Sequence, residues 1–520
     1  MSRKRKWMSM VTVMVMLISL LTGCAKDASV SGKKTEGSEQ VQPTGASTKD
    51  TLVVATTSET PTMSPYSHNA VAGSYMNLLT YNTLFRTDMK LNPEPSLVES
   101  YETASDTEWV FHLKKGVKFH DGSEMKAADV KASLEYAKTF PEVSQYNKSI
   151  VSVEAVDDYT VKITTDGPSA VLLNNLCHHG NAIVPKALID SGNDFNKNPV
   201  GTGPYVLKKW TLGDSLEFES FDDYFGGAPA IKKMTWKIIP EGSSRTIALE
   251  AGEVDMIIEV EAMDAQRIKD NKDLTLLRTQ STALNWMVLN NEKPGLDNQQ
   301  VRHAINCAIN KENVVTVALN GMGTVTKGMG APMLAGYSAE NEETYDLKKA
   351  KEYMKDSGVD PKTVELSIIC SNDTKKRAAE VIQADLSEIG IKAEIETMDL
   401  ATYLSATVEG NFTACIGGYT ATDLVSHVTG VFDSSSINAS NQARFSNPEV
   451  DELIHQASST VDEEARNKIL KNLMGKMNEY LPNISLYTAD TLRAYNSGLQ
   501  GVEVNAGGTM YMEKISWKAN

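Results

Sequence analysis

Apolar positions recur along the chain with two different periods. The run Thr51-Leu52-Val53-Val54-Ala55-Thr56 is continuously β-rich and follows a polar stretch, so it predicts the first strand of the folded part. A second β-rich stretch covers Trp109 to Phe119, interrupted at Lys115-Gly116 and closed by the turn dipeptide Asp121-Gly122. Segments 151–156 and 160–164 flank Asp157-Asp158 and read as a hairpin. Helices are predicted from Ala127 to Lys138 and, more briefly, from Ala170 to Leu176. Near Trp286 the character changes. Val301, Ala304, Ile305 and Ala308 keep helical spacing, as do Ala350, Tyr353 and Met354 ahead of Gly358. Then a strand at Val364 to Ile369, a helix at Lys376 to Ile389, a strand at Ile391 to Ile395, a short helix and a strand at Thr413 to Ile416 alternate. That order argues for a βαβ unit in a mostly parallel sheet. Helices near Asn447 to Ala457 and Glu463 to Tyr480 follow, and Ser485 to Trp517 returns to β-like patterning. The chain shows no internal repeat, which excludes solenoids and propellers.

Length and charge narrow the picture. The 520 residues, 41% of them hydrophobic, allow two to four domains with large cores. The net charge is −16, and the four bases among the first 23 residues leave the remainder at −20. A body that acidic is a poor partner for nucleic acid and is repelled by an anionic membrane surface. At the N-terminus, Arg3 to Lys6 are basic and Trp7 to Leu21 form an apolar run, too short for the roughly 20 residues of a spanning helix. The run ends in Leu21-Thr22-Gly23-Cys24, which resembles a bacterial lipobox. That resemblance implies a signal peptide over residues 1–23 and diacylation of Cys24, two chains being what stable anchoring requires. Residues 24–49 are polar and nearly free of large apolar groups, so they read as a flexible tether. Cys177, Cys307, Cys370 and Cys415 are scattered without a CxxC pair, which indicates neither a zinc site nor a disulfide scaffold.

Catalytic signatures are missing. There is no GxxxxGK[ST] loop, no HExxH and no GxSxG elbow. A large secreted chain of this kind points to binding rather than to chemistry.

The stretch Trp109 to Gly122, followed by Ala127-Ala128-Asp129-Val130, resembles the signature of the peptide/nickel class of ABC-importer solute-binding proteins, extracellular solute-binding family 5. Further matches fall in the family's order: Thr62-Met63-Ser64-Pro65, Pro199 to Tyr205, Leu249 to Asp255, Val301 to Asn310 and Asn447 to Leu453. The resemblance covers roughly residues 50–517. It implies an α/β, two-lobed periplasmic-binding-protein-like fold of type II with three domains and a ligand cleft between the lobes, which close by hinge motion. Carried over, lobe 1 comprises 50–82, 198–284 and 485–520, an inserted domain covers 83–197, and lobe 2 covers 285–484.

By the same resemblance Tyr66, Tyr146, Trp286 and Tyr419 supply walls and stacking for a ligand. His68, Asn69, His179, Asn181, Thr422 and Asp423 supply polar contacts. Peptide-binding relatives carry a Trp followed closely by an Asp that pairs with the peptide amino group. Here Tyr419 replaces the Trp, and Thr422 stands where the acid belongs, with Asp423 one place on. If Asp423 turns inward, it holds an ammonium by a charge-assisted hydrogen bond; otherwise the site prefers a ligand without a free amino group. A competing reading uses His68, His178, His179 and His427 around a nickel or other metal chelate, since imidazole suits nickel. The expectation is therefore a monomeric, lipid-anchored receptor on the extracytoplasmic face that delivers short peptides to an ABC permease, with no cofactor and no nucleic-acid partner. A metal-chelate receptor, a secreted hydrolase with an unrecognised carboxylate pair, and a peptide sensor remain as alternatives.

Overall fold

A computed structural model describes residues 49–518. The expected signal peptide, the Cys24 acylation site and all but the last residue of the tether lie outside the described residues. The first strand forms where the β-rich run predicts it, at Thr51–Thr56. It lies in the middle of an eleven-stranded sheet, parallel to Lys233–Ile238 on one side and to Met256–Ile257 on the other. Leu52 and Val54 pack into one core and Val53 and Ala55 against another, so both faces are covered, which is why its apolar run is nearly continuous rather than alternating.

Two long antiparallel strands, Leu274–Leu289 and Asn483–Asn496, run through the centre of this sheet. Their pairing is regular from Leu274 opposite Asn496 to Gln280 opposite Asp490. It slips, and resumes at Leu284 opposite Thr488. On one side of the slip Asn483–Asn496 pairs with Met256–Ile257; on the other, Leu274–Leu289 pairs with Ala414–Thr420. Beyond Ala414–Thr420 come Leu366–Cys370 and Ala393–Thr397, both parallel, with the helix Asp373–Ser387 as the crossover. This is the predicted βαβ unit. A separate four-stranded antiparallel sheet holds Val98–Ser105, Glu108–Leu113, Thr160–Thr165 and Ile150–Asp157.

The apolar residues sort into distinct cores. One is built almost wholly from residues 284–487 around Trp286, Ile305 and Ile416. A second packs the four-stranded sheet, around Phe111 and Phe119. A third joins residues 52–79, 205–258 and 499–515 around Trp236.

The β-rich stretch is interrupted where the sequence predicts: the strand Glu108–Leu113 ends just before Lys115-Gly116, and Gly116 turns the chain at φ +73°. Several boundaries differ from the pattern reading. The helix expected from Lys376 begins at Asp373, because the Asn372 side chain caps it by accepting from Lys375 N at 2.9 Å. The helix expected at 170–176 is a single turn, Leu172–Asn175. The C-terminal region is not uniformly β: after Asn496 only the short pair Leu499–Gln500 and Ser516–Trp517 remains among the described residues, and the chain between them is irregular.

Arg302 ties the core of residues 284–487 to the backbone around it. It is 5% exposed, and it donates to Leu481 O (2.9 Å), Leu296 O (2.9 Å), Asp297 O (3.0 Å) and Tyr480 O (2.8 Å). Tyr480 and Leu481 end the helix Glu463–Tyr480, where a cation also meets the negative end of the helix dipole. Arg302→Met leaves four carbonyls unpaired and should cost about 3 kcal/mol or more, read as a lower thermal midpoint. Arg302→Lys should recover only part of this, since one ammonium cannot span all four acceptors. A midpoint within about 1 °C of wild type for the Met variant contradicts the assignment.

Candidate ligand-binding cleft

A cavity of about 400 Å³ opens where the elements of these cores meet. That is toward the lower end of the roughly 300–1,000 Å³ typical of small-ligand sites. One wall is a face of the helix Val71–Thr80, which presents Ser74, Tyr75 and Leu78 at i, i+1 and i+4. A second wall comes from the four-stranded-sheet region, with Arg86, Ser96 and the turn Cys177 to His179. Thr422 contributes from the turn after the strand Ala414–Thr420, and Thr491 and Arg493 from the long strand Asn483–Asn496.

The irregular segment after Asn496 supplies the remaining wall, Gly507 to Glu513. Asn505 builds it: its Oδ1 accepts from Gly507 N (3.0 Å) and Thr509 N (2.9 Å), while its Nδ2 donates to Asp88 O and Thr87 Oγ1, each at 3.2 Å. Gly508 takes φ +84°, which a side chain would resist. Tyr511 fixes the far end by donating to Thr87 O at 2.7 Å, and the Arg86 guanidinium lies 5.0 Å above its ring.

Beside the cavity, four rings form a column. Tyr146 stacks on His178 with ring centroids 3.6 Å apart; His178 lies 4.1 Å from His179, and His179 4.7 Å from His68. Every imidazole nitrogen in the column has a partner. His68 Nδ1 lies 3.1 Å from Ala70 N, and its Nε2 lies 2.9 Å from Asn77 Nδ2. His178 Nδ1 accepts from Gly180 N and its Nε2 donates to Asn69 Oδ1. His179 Nε2 donates to His68 O, and its Nδ1 lies 3.3 Å from Ser74 Oγ. Burial lowers the pKa of all three rings, that of His178 well below the usual imidazole range and that of His179 to about 4.

This placement corrects several expectations. The four histidines of the metal reading do not assemble. His427 sits on the helix Leu424–Val431, 1% exposed, donating to Met329 O at 2.8 Å among Trp286, Tyr419 and Phe432, and burial lowers its pKa to about 4. Among the described residues no cluster of three or more His, Cys, Asp or Glu is arranged to hold a metal ion. Tyr66 is fully enclosed; its hydroxyl donates to Ala182 O and its ring packs on Tyr136 and Phe140, so it is core rather than wall. Asn181 is likewise consumed, bonded to Asn147 Nδ2 and Asn175 O. Trp286, 3% exposed, packs into the core built from residues 284–487.

Asp423 does not turn inward. It caps the helix Leu424–Val431, accepting from Ser426 N (2.8 Å) and Ser426 Oγ (2.7 Å). His179 and Thr422 do line the cavity, and His68 backs His179. Asn69 and Tyr146 bond to each other at 3.1 Å beside the column, and Tyr419 is half-buried, with its pKa raised by burial and by the nearby Tyr146 and Asp423 oxygens.

Sequence reasoning passed over Tyr75, Arg86, Arg493, Tyr511 and Glu513, all of which line the cavity. One signal was available: Arg493 is a lone base in a strand whose neighbours Leu492 and Ala494 are apolar.

The fold and its enclosed cavity define a two-lobed solute-binding protein. The model of the bacterial extracellular solute-binding proteins, family 5 (middle), matches residues 92–436, and the chain belongs to that family. It is similar to the glutathione-binding protein GsiB of Salmonella paratyphi A, 31% identical over 468 residues, which are 86% of this chain and 91% of the relative. Among solved structures it resembles HbpA2 from Haemophilus parasuis (27% identity, TM-score 0.82, covering 90% of this chain and 100% of that one). It also resembles DppA from Helicobacter pylori in complex with the peptide STSA (25%, TM-score 0.75, covering 90% and 98%). Such proteins are the substrate-binding components of ABC importers, a family of binding proteins rather than enzymes. No helix among the described residues is long and apolar enough to cross a membrane.

The histidine column makes the fold sensitive to acid. A ring whose pKa is lower folded than unfolded takes up its proton more readily in the unfolded chain, so its contribution is complete above about pH 6.5 and is lost as pH falls toward 4. His179→Gln should flatten the fall of the thermal midpoint across that same window. An unchanged pH profile contradicts the buried, neutral assignment.

Proposed function

We propose that this chain captures short peptides or glutathione-like solutes outside the cytoplasm and delivers them to an ABC permease. The observation that carries the reading is the cavity of about 400 Å³, enclosed by elements from three separate cores and lined by hydroxyls, amides and aromatic rings. A volume of that size favours a solute of a few residues over a long peptide. The GsiB and DppA likenesses support the same class of cargo.

The three cores support the division into lobe 1 (50–82, 198–284 and 485–520), inserted domain (83–197) and lobe 2 (285–484). The slip between the long strands is the flexion point of the proposed closure. We further assign lipid anchoring at Cys24 and a monomeric receptor on the outer side of the cytoplasmic membrane, supported by the lipobox-like ending and the polar stretch behind it. The metal-chelate alternative loses its support, because the imidazole nitrogens of the column already have partners and His427 lies elsewhere.

Calorimetric titration with glutathione, trialanine and dialanine tests this directly. One-to-one binding of at least one of them, with Kd on the order of 1 μM (about −8 kcal/mol) and the peptide recovered intact, is expected. No binding, or cleavage of the peptide by purified protein, contradicts the reading.

A further inference from the structure

We infer that Arg493 is the anchor for a carboxylate of the cargo, so that the cavity selects solutes bearing a free acid group; this rests on the capture reading above. Arg493 is 5% exposed and lines the cavity. Its Nη1 donates to Ile258 O and to Leu492 O (3.1 Å), and its Nη2 donates to Tyr75 Oη at 2.9 Å. A guanidinium has five N–H groups. Here Nε–H and the second Nη2–H have no acceptor among the described residues, and no carboxylate among them pairs with the charge.

The other buried arginines show what a purely structural role looks like in this chain. Arg245, 1% exposed, donates from Nε, Nη1 and Nη2 to Ile239 O, Pro240 O and Glu259 O. Arg302 likewise uses Nε and both terminal nitrogens on four carbonyls. Only Arg493 of the three borders the cavity, and only its Nε is unmatched.

Charge around the cavity points the same way. Three side chains of the strongly acidic or basic kinds line it: Arg86, Arg493 and Glu513. Arg86 is paired with Glu94 at 2.7 Å and faces Glu513 at 3.7 Å, so these three charges engage one another. The histidine column is neutral. Arg493 is thus the charge at the wall left without a counter-ion among the described residues. Tyr75 holds it in place: the phenol accepts from Nη2, and its ring stacks on Trp236 at 5.8 Å. With that phenol accepting from the guanidinium, its own proton is free to donate to the same ligand oxygen. A planar guanidinium, 5% exposed, beside a hydroxyl at the cavity wall suits a carboxylate, whose oxygens take two such donors.

The test compares glutathione with its two mono-amides, the glycinamide and the γ-glutamyl α-amide, by calorimetry on the full-length protein. For the wild type, at least one amide should bind about 30-fold or more weakly than glutathione, the scale of losing one partner of a buried charged pair. Arg493→Gln should weaken glutathione by a similar factor and should then bind that amide and glutathione within about threefold of each other. Arg493→Lys, which keeps the charge without the fork, should fall between them and keeps the test open if the Gln variant folds poorly. Both amides binding the wild type as tightly as glutathione overturns this assignment while leaving the capture reading intact, and so does an acid preference that survives in Arg493→Gln. Failure of glutathione, trialanine and dialanine alike to bind the wild type overturns the capture reading and this assignment with it.

Discussion

The antiparallel pairing of Leu274–Leu289 with Asn483–Asn496 is the constraint on which the rest of the architecture depends. These two strands run from the parallel strands around Thr51–Thr56 into the βαβ region around Ala414–Thr420, so the elements on either side are hung on one half of the pair or the other. The hydrogen-bonded ladder makes each half stiff. Between Gln280 and Leu284 the register slips, and the Ser281 hydroxyl and the Thr282 amide bond to Ala489 O and Ala506 O instead of to ladder partners. The break in the ladder at that point is where the proposed closure would bend, leaving each half folded. The strand Asn483–Asn496, which faces the slip, also carries Arg493 to the cavity, so closure and ligand contact are built on one piece of backbone.

Electrostatics explains a second feature. The chain beyond its first 23 residues carries −20, a field that repels anionic solutes at long range. Inside the cavity a single guanidinium without a counter-ion presents the opposite sign. In a poorly hydrated wall that local charge outweighs distant, screened carboxylates, because screening acts on exposed charges far more than on enclosed ones. The buried arginines divide into two uses: Arg245 and Arg302 commit their donors to carbonyls and lock the backbone, whereas Arg493 keeps donors in reserve.

The architecture was legible in the chain wherever a period could be read. The run at Thr51, the hairpin around Asp157-Asp158 and the alternation from Val364 to Ile416 all correspond to real elements, because burial on one or two faces imposes the pattern directly. The cavity wall was legible only in part. Thr422 and His179 fall on turns that the family resemblance points to, and both line it. Tyr66 and Asn181 fall on similar turns, Trp286 within a long strand and His427 within a helix, and all four are consumed by packing and internal hydrogen bonds, which no linear pattern reveals. Asp423 illustrates the difficulty: a carboxylate one residue before a helix is as useful to the helix as to a ligand, and here the helix takes it. The segment Gly507 to Glu513 carries no period at all, since its shape comes from Asn505 and a left-handed glycine rather than from alternation.

Small-angle scattering of the purified protein, with and without saturating glutathione or trialanine, tests closure around a solute most directly. The account predicts a smaller radius of gyration in the bound state, with the dimensions of each half unchanged. Stoichiometric binding with an identical scattering profile contradicts it.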